Sequence, residues 1–583
     1  AGAHRALSSP GISWGARSQI FFMDQSPPDP RQRLYLILFH CSWIGILLAA
    51  AYQRLMLPLT PLADNDIWGF LNPGLQSLTG HGFQHTDNRN SLYPRLICVL
   101  LEIFQDFRAI TLVQRLLGLA TGGLMLASWC AARRCFVRPS LPPWFFDLAG
   151  LLTMSIYLFA TEPVQFEYFI RPDVVCPFFA ALALYLIVRF LVARKVERNS
   201  RTTAVLGASV IFVALFIPNL KPSFWLTSVF ITIPVWLAAF DRKEALRRRL
   251  LMTGVPLIAA ALLLWLPEKI LADRDIFSDR FLPESLFSIH GMIIREQLAD
   301  DAAHPDPSVP YSQAQLRSVL AFLDAGIAAS LEKSPHHMET LGYDADFLLY
   351  HQPFFDQVTH IPGFTWRSVI PFFRYYYLRA WQKRPLEMLQ KAGKQLALFY
   401  NLSCPAYCDK RFEMARYYTR SLDVLSDPVI QKTLRQFPPA MRWMENQQQV
   451  ADNPPLIDMN KTLRRTINAF GNCYFPTLLV FLALLPWVLW SAGRRARFGL
   501  ISAVLIIGYC FNFGNNLGIA VLHTLEVSRY TYVQFATTVW TETLTFIFLV
   551  EFLLQFRRGV PGAVAIPIFK SDSHSPLTSE KPA

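Results

Sequence analysis

Ten long apolar runs constrain this chain more than any other feature. A helix that crosses roughly 30 Å of hydrocarbon needs about 20 mostly apolar residues, with every backbone polar group bonded inside the segment. Runs of this kind occupy 34–52, 111–131, 145–160, 174–193, 203–218, 223–240, 251–267, 473–491, 499–516 and 533–554, the third and seventh being short. A single run reads equally well as a buried helix of a soluble protein; ten do not. Composition agrees: charged residues are 17% of the chain, against about a quarter in soluble domains. A disordered chain, a collagen-like chain and a small disulfide scaffold are excluded on the same ground. The expected fold is an all-α polytopic membrane protein with about ten transmembrane helices.

Charge sorts the loops. Arg133, Arg134 and Arg138 follow the second run, and Arg194, Lys195, Arg198 and Arg201 the fourth. Arg242, Lys243, Arg247, Arg248 and Arg249 follow the sixth, Arg494, Arg495 and Arg497 the eighth, and Arg557 and Arg558 the tenth. The opposite short loops, 161–173, 218–222 and 517–532, hold one base each: Arg171, Lys221 and Arg529. Seventeen bases against three, in alternation, predict both termini in the cytoplasm, because short loops rich in Lys and Arg stay inside. The net charge of +13 is therefore spread over topogenic loops and not gathered in one stripe, so membrane lipids are expected as partners and nucleic acid is not.

Two long segments then fall outside, 53–110 and 268–472. The longer of them has a helical pattern: 374–400 carries Leu and aromatic residues at helical spacing, while 303–310 and 453–455 are Pro-rich loops. Cys404 and Cys408 would form a local disulfide on an oxidising side or stand as two thiols; both readings are open. Asn401-Leu-Ser is a formal glycosylation sequon. The first run has no small-residue cleavage site and is expected to remain as a span. The tail after 559, rich in Pro, Ser, Lys and Glu, is expected to be solvated.

The first outer loop holds the densest chemistry. Asp64 and Asp66 stand shortly after the first span, followed by GFLNPGLQSLTG (69–80), an amphipathic piece expected to lie in the interface as a helix interrupted near Pro73. The segment 92–107 is apolar but carries Arg95, Glu102 and Asp106. Were it to cross, every later loop would change sides and the charge pattern would invert, so it is expected to lie on the outer face. The plain account of Asp64 and Asp66 is helix capping. The sharper one is a general base at a cavity mouth, taking a proton from an attacking hydroxyl, or a ligand of a divalent cation.

This layout resembles the GT-C superfamily of integral-membrane glycosyltransferases, in the branch of protein mannosyltransferase-like and aminoarabinose transferase-like enzymes. The resemblance rests on Asp64-Asn65-Asp66 soon after the first span, the juxtamembrane segments 69–80 and 92–107, Tyr93-Pro94, Arg171-Pro172-Asp173, and Arg529-Tyr530 in the last outer loop. The chain departs from the family in having Asp-Asn-Asp where many relatives have an acidic pair, and in placing its large outer domain between spans seven and eight. The resemblance implies a polyprenyl-phosphate-linked sugar as donor. Asp66 is favoured as the base, with Asp64 the alternative, because Asp66 directly precedes the amphipathic piece.

Arg171, Lys221 and Arg529 each sit at a span edge. Any one of them could be snorkelling to lipid headgroups. Three together against the charge bias suit a phosphate leaving group, whose growing negative charge needs cations. Arg89 would add a fourth contact, and Tyr93 and Tyr530 would support the loops. Among other residues, His81, His85, His336, His337 and His523 lie outside or near this face, and the adjacent pair His336-His337 lacks i, i+4 spacing and reads as a loop and not a ligand. Glu162 and Glu167 would make local ion pairs or line the cavity, and Tyr375, Tyr376, Tyr377 and Trp381 would pack the helical domain or stack on sugar.

The expectation is a glycosyltransferase moving a sugar from a polyprenyl-phosphate carrier to a lipid or cell-envelope glycan at the outer face of a bacterial inner membrane, by inverting single displacement. The alternative is a flippase for a lipid-linked glycan, which would show matched halves and broken spans. No cofactor is required by the residues, a divalent cation being the open exception. The organisation expected is a cytoplasmic segment 1–33, a transmembrane catalytic module 34–267 with its outer loop at 53–110, a large helical outer (periplasmic) domain 268–472, C-terminal spans 473–554 and a cytoplasmic tail 555–583.

Overall fold

The computed structural model describes residues 30–84, 89–241, 244–272, 280–333, 341–351, 353–401, 413–454, 461–522 and 527–557. Cys404, Cys408, His85, His336, His337, His523, part of the sequon and the tail after 559 lie outside them. Among the described residues the chain is helical and no strand forms; an isolated bridge pairs Leu62 with Phe169.

Ten described helices are long and apolar enough to cross a membrane, which makes this an integral membrane protein. Nine coincide with expected runs. The run at 251–267, short in sequence, lies inside a 27-residue helix, Leu246–Ala272, whose Leu250, Val255, Ile258, Leu262 and Leu263 are exposed as lipid-facing side chains would be. The run at 145–160 forms the shorter helix Pro143–Phe159, packed between Arg108–Arg133 and Phe535–Arg557. The tenth helix by length and composition is Gln313–Lys333, which no run marked as a span. Its Leu316, Val319, Leu323 and Ile327 are buried against Phe287, Leu298 and Leu348, so its apolar face is spent on a domain core.

Local signals explain several boundaries. Asn199 caps Ser200–Leu220 by accepting from the Thr202 N–H at 3.0 Å. Pro385 ends Trp366–Lys383 and starts Pro385–Ala397, so the helical stretch 374–400 is two helices. The amphipathic piece is a continuous helix, Ile67–Leu78, with Pro73 inside it; the interruption expected there does not occur. Proline costs that turn one backbone bond, and buried Phe70, Leu71 and Leu75 hold the helix together regardless. Leu92–Phe104 forms the second juxtamembrane helix.

Helix contacts in the bundle close into a ring. Arg108–Arg133 packs on Cys176–Lys195, which packs on Ser200–Leu220, then Trp225–Ala239, Ala492–Leu522 and Phe535–Arg557, which returns to Arg108–Arg133. Glycine lets one of these contacts come unusually close. A Cβ on Gly518 would meet the Ser223 carbonyl oxygen at 2.5 Å, and one on Gly514 would meet the Thr227 nitrogen at 2.5 Å. At one end of the bundle the topogenic bases pair across loops: Arg133 with Asp147 at 3.1 Å, Arg194 with Asp241 at 3.1 Å, and Arg134 with Glu197.

The segment 268–472 carries two separately packed groups. Helices from Phe281 to Ala397 share a core around Phe287, Leu298, Leu323, Phe372 and Tyr376. Tyr375, Tyr377 and Trp381 pack against this core. The other group, Met414–Leu425 and Pro438–Asp452, docks on the first loop. Tyr418 donates to the Thr60 carbonyl, Trp443 Nε1 donates to that of Pro61 at 2.8 Å, and Phe107 stacks on Trp443 at 4.3 Å.

Candidate functional site

The site is built on the strap that leaves the first span. Arg54, near the end of Pro30–Leu55, is buried against Glu167, with Nη2 2.8 Å from Oε1. Arg115, in the helix Arg108–Arg133, donates to the carbonyls of Arg54, Leu57 and Pro58 and to the Tyr168 hydroxyl. Three backbone oxygens on one guanidinium fix the course of the strap before it reaches the acidic motif.

Asp64 and Asp66 follow at the start of Ile67–Leu78. Asp64 Oδ1 accepts the Asp66 N–H at 2.9 Å, a local turn that orients both side chains. Asp66 occupies the N-cap position, yet its carboxylate makes no capping bond, so the plain account of this residue fails. It faces three guanidinium groups instead. Arg89 Nη2 lies 3.1 Å from Oδ1, while Arg529 Nη1 and Arg171 Nη2 lie 2.9 and 3.4 Å from Oδ2. Arg171 also pairs with Asp64 through Nε.

Asp173 extends the cluster inward. It is 1% exposed, pairs with Lys221 and receives Arg529 Nε at 3.4 Å. Lys221 lies 4.3 Å over the Tyr530 ring, and the Arg529 guanidinium lies 5.9 Å from the same ring. Tyr530 therefore supports two of the bases directly. Tyr93 acts further back: its ring meets Phe70 edge-on at 5.7 Å and its hydroxyl accepts from Gln114 at 2.8 Å, locking the two juxtamembrane helices to a span. Arg89 lies over Phe70 at 4.8 Å and beside Gly69, where a Cβ would approach its side chain to 3.1 Å. The Ser91 N–H donates to Glu268 and Asn90 donates to the Pro218 carbonyl, so this loop is pinned to the ends of two other helices.

All six charged residues singled out in the sequence thus meet: Asp64, Asp66, Arg89, Arg171, Lys221 and Arg529 form one network. Glu167 is committed to Arg54 instead. Asp173 was present in the Arg-Pro-Asp element but carried no assigned role; its position at the buried start of a span was the available signal. Arg115 was legible in the same way, as a base inside an apolar run. Tyr350, on the turn Phe347–His351 of the helical domain, also lies within electrostatic reach of Asp66, Arg89 and Arg529, and nothing in sequence spacing marks it.

Four bases and three carboxylates leave the network with one positive charge in excess. The two loop carboxyls differ in environment. Burial raises the Asp64 carboxyl above its ordinary range, with Arg171 opposing. Burial also pushes Asp66 upward, but Arg171, Arg529 and Arg89 outweigh it and hold Asp66 below the usual carboxylate range. Asp66 is the more open of the two, its side chain 30% exposed against 16% for Asp64. A divalent cation does not fit these carboxylates as they are placed. Among the described residues no three His, Cys, Asp or Glu side chains gather around a point, and Asp64, Asp66 and Asp173 each face Arg or Lys. Compared with known proteins, the chain matches no family model, no curated protein and no solved structure.

Proposed function

We propose that this chain is a membrane glycosyltransferase that moves a sugar from a polyprenyl-phosphate carrier to a lipid or cell-envelope glycan acceptor. The observation that carries the reading is the convergence of Asp66 with Arg171 and Arg529, from three distant parts of the chain, beside the buried Lys221–Asp173 pair. A carboxylate within reach of several cations, at the ends of apolar helices, suits a reaction in which a lipid-bound phosphate leaves as a hydroxyl attacks. In this reading the active site faces the outer side of a bacterial inner membrane, the periplasm.

The chemistry is a single displacement. An acceptor oxygen attacks the anomeric carbon, the bond from that carbon to the phosphate oxygen breaks, and its electron pair leaves with the phosphate. Asp66 takes the acceptor proton, and Arg171, Arg529 and Lys221 balance the phosphate charge. Inversion at the anomeric centre follows from one displacement. The donor also tunes the base. In the free protein the guanidinium groups depress Asp66. A phosphate that draws Arg171 and Arg529 toward itself relieves that field and makes Asp66 more basic when a proton must be taken. Asp64 is a positioning residue here, holding Arg171 and the Asp66 backbone.

The test supplies purified protein with a radiolabelled polyprenyl-phosphate sugar and membrane extract, comparing wild type with Asp66→Asn. Label should pass to an acceptor with wild type and fail to do so with the variant. Undiminished transfer by Asp66→Asn would remove Asp66 as the base, and translocation of the labelled lipid without transfer would replace the enzyme reading by the flippase.

A further inference from the structure

The helices Tyr474–Trp490, Ala492–Leu522 and Phe535–Arg557 pack on one another through a polar seam. Its upper part starts beside the charge network: Ser223, two residues after Lys221, donates to Asn515 Oδ1 at 2.8 Å, and Asn515 donates to Gln534 at 3.2 Å. About a turn further, Asn512 donates to the Tyr474 hydroxyl at 2.8 Å and to Thr538 Oγ1 at 2.9 Å. Further still, the Tyr509 and Thr545 hydroxyls pair at 3.0 Å. Glu542 lies between these last two layers, four residues after Thr538 and three before Thr545, which puts all three on one helix face.

Glu542 is 1% exposed, and neither carboxyl oxygen has a hydrogen-bond donor among the described residues. Among the described residues, the phenols of Tyr474 and Tyr509 lie within its electrostatic reach. Elsewhere on the same helix, which also packs on Cys176–Lys195, Trp540 meets Trp129 of Arg108–Arg133 and Phe535 meets Tyr157 of Pro143–Phe159. Glu551, on the same helix, is occupied by the N–H groups of Ser140 and Leu141. A bare carboxylate is the least tolerable group in such a place, because it has lost water and gained neither donor nor counter-charge. A metal ion would not repair this. Hard cations need about six oxygens, and among the described residues no three His, Cys, Asp or Glu side chains gather here to supply them. A glutamine would fill the same volume, so what a carboxyl adds is the capacity to exchange a proton.

We propose that Glu542 is a proton-binding site inside the membrane, loaded at neutral pH, one helical turn from the Asn512–Thr538 layer of the seam. The site is independent of the transfer reaction. Its test is infrared spectroscopy of the full chain in lipid nanodiscs, comparing wild type with Glu542→Gln across pH. The carbonyl stretch of a protonated carboxyl should be present at neutral pH in wild type, absent in the variant and unchanged by sodium. Identical carboxyl bands in wild type and variant would overturn the proposal, and so would a band that sodium abolishes at fixed pH, which would assign the site to that ion. Should Glu542→Gln not fold, Glu542→Asp serves in its place: a shifted band supports the assignment and an unshifted one overturns it.

Discussion

Arg529 binds Asp66 although the two stand 463 residues apart: its Nη1 is 2.9 Å from Asp66 Oδ2, while its Nε reaches Asp173 at 3.4 Å. One guanidinium thereby couples the first loop, the buried start of the span at Pro172 and the last loop. The loops are ordered relative to one another by charge, and the consequences are measurable.

Asp66→Asn is expected to lower transfer by about 10²–10⁴-fold, the usual worth of a general base. The carboxylate is the active form, so the rate is retained above the Asp66 pKa and lost as pH falls through it. Because Arg171, Arg529 and Arg89 hold that pKa below the ordinary 3.8, the acid limb of kcat/KM should lie lower than for an ordinary aspartate. Arg89→Gln removes one of these cations and should move the limb upward. A pH profile of kcat/KM for wild type and Arg89→Gln decides this, and coincident limbs would contradict it.

Lys221→Met should destabilise the protein by on the order of 3 kcal/mol, because it strips a counter-charge from a buried carboxylate. Arg529 remains near Asp173 and softens the loss. The double variant Lys221→Met with Asp173→Asn should recover part of it. Thermal melts of the two single variants and the double variant form the cycle, and purely additive losses would mean that the pair does not interact.

Gly518→Ala is expected to push the Pro222–Phe224 turn off the Ala492–Leu522 helix, since the new Cβ meets the Ser223 carbonyl at 2.5 Å. Overpacking of this kind costs about 1–3 kcal/mol. Lys221 precedes that turn, so activity should fall along with the melting temperature. Gly493→Ala, at a position where the nearest atom to a Cβ is 3.9 Å away, is the control and should melt as wild type does.

Lys391 joins the helical domain to the bundle, donating to the Ala520 carbonyl at 3.3 Å, and burial pushes its amine down to about 7. The unfolded chain binds this proton more tightly than the folded one between about 7 and the ordinary 10.5. Stability therefore rises with pH across that window and is lost as pH falls toward its lower end. Hydrogen-exchange protection factors for Pro385–Ala397 should climb from neutral to alkaline pH in wild type and stay flat in Lys391→Met. A slope that survives the substitution would assign the effect elsewhere.

Much of this molecule was legible before folding. Length and apolar content marked nine of the ten described helices able to cross a membrane, since hydrocarbon thickness sets a length that a linear chain must display. The tenth helix is instructive. Gln313–Lys333 meets the same criterion, but its neighbours Phe287, Leu298 and Leu348 bury its apolar face, and apolarity alone does not distinguish lipid from protein as the burying medium. Pro73 misled in the opposite sense, because packing of Phe70, Leu71 and Leu75 outweighs a local break.

The site divides along the same line. Asp64, Asp66, Arg171, Lys221 and Arg529 stood out singly, as charges at span edges where charge is costly, and that cost is a local property of sequence. Their partners did not stand out. Nothing in spacing pairs Arg171 with Asp64, Lys221 with Asp173, or Arg115 with the Pro58 carbonyl, or leaves Glu542 without a donor among the described residues. Ionic and hydrogen-bond partners act over a few ångströms in space and are indifferent to separation along the chain. Which residues are costly is therefore written in one dimension, and how each cost is met is settled when the helices pack.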